Sequence, residues 1–160
     1  MYKRQVYNTA IRTSQTGAEW DFLYERFLNC EVDSERRRMI YGLGSSWDES
    51  ILNEYLARSI DANSGIRKQD TPYLYSGVGA SDIGRMTQMT WLEENYIAIK
   101  EYHGPSFPSR VGDIISRFGN AAKTQAEYDR ISDFWNQHQV DLASAQSTFG
   151  QVQDLSLIHI

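Results

Sequence analysis

Three times along this chain a hydroxyl residue is followed three positions later by Glu, and then by apolar side chains at helical spacing. Thr16 and Glu19 lead into Trp20, Leu23, Tyr24 and Phe27. Ser46 and Glu49 lead into Ile51, Leu52, Tyr55 and Leu56, and Thr124 and Glu127 into Tyr128, Ile131 and Trp135. In a capping box the hydroxyl accepts from a backbone N–H of the first turn, and the Glu reaches back to the cap N–H. Apolar residues at i, i+3, i+4 and i+7 fall on one helix face. A box alone is weak, since Thr90 and Glu93 also fit it inside an expected helix. A box joined to a stripe predicts a helix start, and the repetition constrains the whole chain.

Other starts use different chemistry. Asp33 or Ser34 is expected to cap a helix carrying Met39, Ile40 and Leu43. Thr71-Pro72 reads as a cap followed by Pro in the first turn, where a missing N–H costs little. Ser81-Asp82 is expected to open one long helix through Ile83, Met86, Trp91 and Tyr96 to about Tyr102. His103-Gly104-Pro105 stops it, because Gly suits a left-handed end and Pro cannot continue. Pro108 and Ser109 precede a helix with Val111, Ile114, Ile115 and Phe118, closed by Gly119-Asn120. A last helix is expected to carry Val140, Leu142, Phe149 and Val152.

No period-two alternation of β-branched residues persists, so strand signals are nearly absent. The predicted class is all-α, with antiparallel helical hairpins stacked as a HEAT-like curved solenoid. No strict repeat is visible, so any repetition is structural rather than sequential.

Composition narrows the function classes. Hydrophobic residues make up 41% of the 160, enough for a packed core. A formal net charge of −5 disfavours general nucleic-acid binding. The single cysteine, Cys30, excludes an internal disulfide and a cysteine-based zinc site. Its neighbours Glu31 and Asp33 do not favour a thiolate, so it reads as a partly buried structural thiol.

The usual catalytic patterns are missing. There is no His-Glu-x-x-His, no Gly-x-Ser-x-Gly and no P-loop. His103 reads as a solvated loop residue, and His138 as a continuation or cap of its helix. Gly77-x-Gly79 has no strand before it and is better explained by close helix packing. Glu93 and Glu94 are adjacent, so they point in different directions and make no acid/base dyad. Glu35-Arg36-Arg37-Arg38 is expected to be a solvated face with ion pairs. In Gly65-Ile66-Arg67-Lys68-Gln69-Asp70, Arg67 is expected to meet a buried carboxylate and Gln69 to satisfy loop carbonyls. Asp70 suits the positive end of the following helix. A rigid polar connector explains this segment better than a catalytic site does.

The two ends call for separate treatment. Gln5, Arg4, Lys3, Tyr2 and Met1, read as CAG, AGA, AAG, TAT and GTG, complement Leu155 to His159 read as CTG, TCT, CTT, ATA and CAC. Such DNA looks like a transposon end used to tag fragments. Residues 1–5 and 155–160 are therefore expected to be adapter-derived scars around a partial domain at 6–154, cut from a longer reading frame.

Several blocks, taken in order, carry a family resemblance. They are Val6-Tyr7, Glu19-Trp20-Asp21-Phe22, Gly42-Leu43-Gly44, Ile51-Leu52-Asn53 with Tyr55-Leu56, Ile66-Arg67-Lys68-Gln69-Asp70, Ile83-Gly84-Arg85 and Trp91. Together they resemble the C-terminal helical domain of gluzincin zinc aminopeptidases, of the aminopeptidase N and endoplasmic-reticulum aminopeptidase types. The Glu-Trp-Asp-Phe and Ile-Arg-Lys-Gln-Asp blocks are the most specific. The resemblance implies that Trp20, Arg67, Gln69, Asp70, Gly84, Arg85 and Trp91 are structural motif residues, with no catalytic or metal-binding residue in this chain. It implies a parent that removes single residues from peptide N-termini, with zinc held in an upstream domain by His-Glu-x-x-His and a distal Glu. It also implies that this domain closes an enclosed substrate chamber. The implied partners are the parent's own catalytic domain, peptide substrates and, as one option, a second copy of the chain. The implied setting is the extracellular side of the plasma membrane or the secretory pathway.

There are departures from the family. Membrane members often pair a cysteine in the place of Asn8 with one near Ser45, and both are missing here. No Asn-x-Ser/Thr sequon occurs, and the family's Asn-Ile-x-Trp-like ending is absent. The competing expectation is a free-standing helical-repeat adaptor that binds proteins on a concave face.

Overall fold

In the computed structural model, the backbone is described for residues 2–14 and 16–159, and side chains for 5–14 and 16–152. The proposed scars, residues 1–5 and 155–160, lie outside the residues whose side chains are described, Gln5 excepted. The helices are α1 (Tyr2–Thr13), α2 (Ala18–Leu28), α3 (Asp33–Leu43), α4 (Glu49–Arg58), α5 (Thr71–Val78), α6 (Asp82–Glu94), α7 (Tyr96–His103), α8 (Phe107–Ala121), α9 (Gln125–His138) and α10 (Gln146–His159). Short 3₁₀ turns occupy Lys68–Asp70, Gly104–Ser106 and Ala143–Ala145. No strand occurs among the described residues, so the chain is all-α.

Helices pack on alternate neighbours. α1 lies on α3, α3 on α5, and α5 on α8; α4 lies on α6, and α6 on α8, which also receives α10. This order follows from the stripes. Trp20, Leu23 and Phe27 of α2, Met39, Ile40 and Leu43 of α3, and Leu52, Tyr55 and Leu56 of α4 are all buried. The core continues through Leu74, Tyr75, Met89, Leu92, Ile99, Val111, Ile114, Ile131 and Phe134. Each large apolar side chain so enclosed contributes roughly 1.5–3 kcal/mol.

Small residues allow the closest approach. A Cβ on Gly77 would lie 2.8 Å from the Tyr41 carbonyl oxygen, so this glycine seats α5 on α3. Gly77-x-Gly79 is thus a packing element, and no phosphate loop forms there.

Several local expectations are corrected. Of the three capping boxes only the third forms: Thr124 Oγ1 accepts from Glu127 N, and Glu127 Oε2 from Thr124 N at 2.9 Å. At α2 the cap position is Gly17, with φ 77°, and Glu19 instead accepts from Ser14 Oγ. At α4 the cap is Asp48, whose Oδ1 accepts from Ser50 N at 2.8 Å, while Ser46 Oγ accepts from Asp48 N. At α3 the cap is Val32, with no side-chain bond. The single helix expected from Ser81 to Tyr102 breaks at Asn95, whose φ of −111° and ψ of 16° are not helical. Ser81 does cap its start, accepting from Gly84 N at 3.0 Å. Gly104 ends α7 with φ 54°. The last helix starts at Gln146, not near Val140, which is 87% exposed in the preceding turn.

Candidate functional site

The connector between α4 and α5 is held by groups from far along the chain. Tyr24 Oη donates to Ser64 O at 2.5 Å, and Arg36 donates to Gly65 O at 3.0 Å. Arg36 also reaches Phe27 O and Cys30 O, and its guanidinium lies 4.3 Å from the Phe27 ring centre. Arg36 therefore departs from the solvated face expected of the basic run, whereas Arg37 is exposed and Arg38 forms an ion pair with Glu35. Glu35 within the run is buried and accepts from Tyr7 Oη and from Arg38 at 2.8 Å.

Within the connector, Arg67 Nε donates to Asp70 Oδ2 at 2.6 Å and its Nη2 to Asp33 Oδ1 at 3.1 Å. Asp70 is 2% exposed and stands at the start of α5, where a carboxylate faces the positive helix end. Both hydrogen bonds hold the Arg67 guanidinium above its ordinary range, Asp70 contributing more than Asp33. Lys68 Nζ donates to Tyr102 O and lies 4.3 Å from that residue's ring centre. Gln69 is exposed.

Beside this connector opens a cleft of about 310 Å³, lined by Arg67, Lys68, Gln69, His103, Ser106 and Arg110. His103 corrects the sequence reading: it is the last residue of α7 and 4% exposed, not a solvated loop residue. Its Nε2 lies 3.2 Å from Tyr75 Oη, which lies 3.2 Å from Ser59 Oγ, and all three side chains are buried. Burial, then the charges of Arg110 and Lys68, push the imidazole down to about 4. Burial likewise raises the Tyr75 hydroxyl. The imidazole is thus neutral at pH 7 within a positive field.

The remaining motif residues lie elsewhere and make packing contacts. Trp20 is 3% exposed, donates its indole N–H to Leu43 O at 2.9 Å and stacks on Tyr24. Arg58 covers both rings. Trp91 is buried against Tyr75. Gly84 sits so close to α5 that a Cβ would overlap the Val78 carbonyl oxygen. Arg85 pairs with Asp82, whose carboxyl is held low by that bond first and then by Lys123. Arg67, Gln69 and Asp70 therefore share one site, while Trp20, Gly84, Arg85 and Trp91 do not join it.

No sequence motif marks His103, Arg110 or the Ser59–Tyr75 pair as site residues. One signal was available: Arg110 follows Pro108 closely and falls in the first turn of α8, where the helix dipole disfavours a cation. No group of three or more His, Cys, Asp or Glu able to hold a metal occurs among the described residues. Among the described residues, no helix is long and apolar enough to cross a membrane.

A family model described as the ERAP1-like C-terminal domain matches residues 2–155. Aminopeptidase Ey from Gallus gallus is 30% identical over 131 residues, covering 81% of this chain and 13% of that protein. Aminopeptidase N from Canis lupus familiaris is 29% identical over 133 residues, covering 81% of this chain and 13% of that protein. Glutamyl aminopeptidase from Bitis rhinoceros is 22% identical over 134 residues, covering 83% and 14%. The chain thus spans about one seventh or less of the length of these relatives.

Proposed function

Because the chain belongs to the ERAP1-like C-terminal domain family, we propose that it is the non-catalytic C-terminal part of a zinc aminopeptidase, forming the wall of an enclosed substrate chamber. The observation that carries this reading is where the motif residues fall. Trp20, Gly84 and Trp91 set helix packing, and Arg67 with Asp70 locks a connector. Residues so placed hold a shape, and shape is what a wall contributes. The alternate-neighbour packing supports a HEAT-like stack of hairpins with a surface for a partner. That partner is the catalytic domain of the same parent, which holds the zinc, and peptide substrates enter between the two. The parent removes N-terminal residues from peptides and works at the outer face of the plasma membrane or in the secretory pathway.

Two measurements test this. The purified chain, given zinc and an aminoacyl-anilide, is expected to show no turnover; hydrolysis abolished by a chelator would overturn the assignment. The genomic sequence upstream is expected to encode His-Glu-x-x-His a few hundred residues earlier. An unrelated upstream domain would refute the proposal.

A further inference from the structure

Charge is divided unequally between the helices. The chain carries a formal net charge of −5. Yet α3, α5 and α8, which pack in a row, carry five arginines against three acids. By contrast α2, α4, α6 and α9 carry four arginines against eleven acids. Two of the row's three acids are already engaged: Arg67 holds Asp33, and Glu35 is buried against Tyr7 and Arg38. The third, Asp113, is partly exposed and lies 3.8 Å from Arg110.

Printed side by side on one face of this row are two of its cations. The Arg37 guanidinium of α3 lies 5.2 Å from the centre of the Tyr73 ring of α5, and Tyr41 meets that ring edge-on at 5.7 Å. Tyr73 and Ser76 are three residues apart, so they share a face of α5. Arg117 of α8 donates to Ser76 Oγ. An arginine, two half-buried tyrosine rings and a second arginine thus cross three helices. Arg37 and Arg117 are exposed, and neither forms a salt bridge among the described residues. Packed helices lie about 8–10 Å apart. From α3 to α8 the band therefore runs about 16–20 Å, the span of about five or six extended residues.

We propose that this face binds an extended acidic peptide, with carboxylate side chains on Arg37 and Arg117 and the intervening residues lying over Tyr41 and Tyr73. A planar guanidinium matches the two oxygens of a carboxylate, and the tyrosine rings add apolar contact. A nucleic acid fits less well, because the acid-rich helices of the same small chain repel a continuous phosphate backbone. That the peptide is a substrate of the parent rests on the function proposed above; the binding itself needs only this chain.

The test titrates the 160-residue chain into a rhodamine-labelled decapeptide at constant ionic strength and follows its anisotropy. The peptide has two Glu residues five positions apart among Ala and Ser. It is amidated, so only side chains offer carboxylates. A saturable rise is expected, and none for the same peptide with Gln in place of Glu. Arg37→Gln and Arg117→Gln are each expected to weaken binding about fivefold, the upper range for an exposed pair. Lys123→Gln removes the same charge outside this face and is expected to change nothing. No saturable binding, equal binding of the Gln peptide, unchanged binding in Arg37→Gln, or an equal loss in Lys123→Gln would overturn the proposal. Tighter binding of a labelled thymidine decanucleotide would also overturn it, in favour of a nucleic-acid surface. Should Arg117→Gln melt below the parent, Arg37→Gln, which removes no hydrogen bond, decides alone. Failure to bind peptide leaves the upstream His-Glu-x-x-His expectation standing, so the two proposals fail separately.

Discussion

Gly44 lies directly against the backbone of Gly77, so that a Cβ on Gly44 would sit 2.5 Å from the Gly77 carbonyl carbon. Backbone cannot turn aside as a flexible side chain can. Gly44→Ala is therefore expected to destabilise the fold by about 1–3 kcal/mol through crowding alone, because φ at Gly44 is −74° and suits any residue. Gly150, in α10, has nothing within 4 Å of its would-be Cβ. Gly150→Ala is expected to gain about 0.5–1 kcal/mol from helix propensity. Urea melts of both variants check the contrast. A Gly44→Ala chain as stable as the parent would mean that α3 and α5 do not cross this closely.

Thr16 and Thr124 occupy the same motif but different geometries. Thr124 accepts from Glu127 N and completes a box, whereas Thr16 Oγ1 reaches Ala18 N only at 3.4 Å beside a glycine cap. Thr124→Ala is expected to cost about 1 kcal/mol, and Thr16→Ala less than about 0.5 kcal/mol. Equal losses in thermal melts would show that the sequence motif, not the observed cap geometry, governs both starts.

That difference marks how far the sequence could be read. The stripes placed the buried faces of α2, α4 and α9 because burial imposes a period on many residues at once. Cap geometry depends on the φ and ψ of one or two turn residues, and Gly17 and Asp48 took the positions assigned to Thr16 and Ser46. The break at Asn95 is equally local: its side chain and backbone N–H both donate to Trp91 O, which ends α6 without a proline or glycine signal. Ile66-Arg67-Lys68-Gln69-Asp70 stood out as a polar block, but half of its cleft could not. His103 and Arg110 join it only through the turn at Gly104, which ends α7 and leads into α8.

Trp20 tests the core. Its indole is buried between Tyr24, Tyr55 and the Arg58 guanidinium, and its N–H satisfies Leu43 O. Trp20→Ala is expected to cost about 3–5 kcal/mol, the range for emptying a large aromatic site. A loss below about 0.5 kcal/mol, the usual surface range, would show that this stripe does not face the core.

Arg67 bridges two carboxylates through separate nitrogens, Nε to Asp70 and Nη2 to Asp33. A lysine carries the charge but cannot span both with a fixed fork. Arg67→Lys is expected to lose about 1–2 kcal/mol, and most of that loss should persist at high salt because Asp70 is buried. If Asp33→Ala alone costs as much as Arg67→Lys, then Asp33 rather than Asp70 is the anchor.

His103 gives the acid side of the stability profile a distinct window. Its pKa falls from 6.5 to about 4 in the fold, chiefly by burial. The unfolded chain therefore binds the extra proton first as pH drops. The stabilisation from keeping the ring neutral is complete above about pH 6.5, is lost as pH falls towards 4, and does not change further below it. Within that window the slope contributed by one such group is at most about 1.4 kcal/mol per pH unit. His138, also depressed by burial, acts in the same direction, while the lowered carboxylates of Asp82 and Asp141 act only at more acid pH. Subtracting the profile of His103→Gln from that of the parent isolates the effect of this residue. The difference is expected to vary between pH 6.5 and 4 and to be flat above. A flat difference across the whole range would mean that His103 is as solvated in the fold as in the unfolded chain.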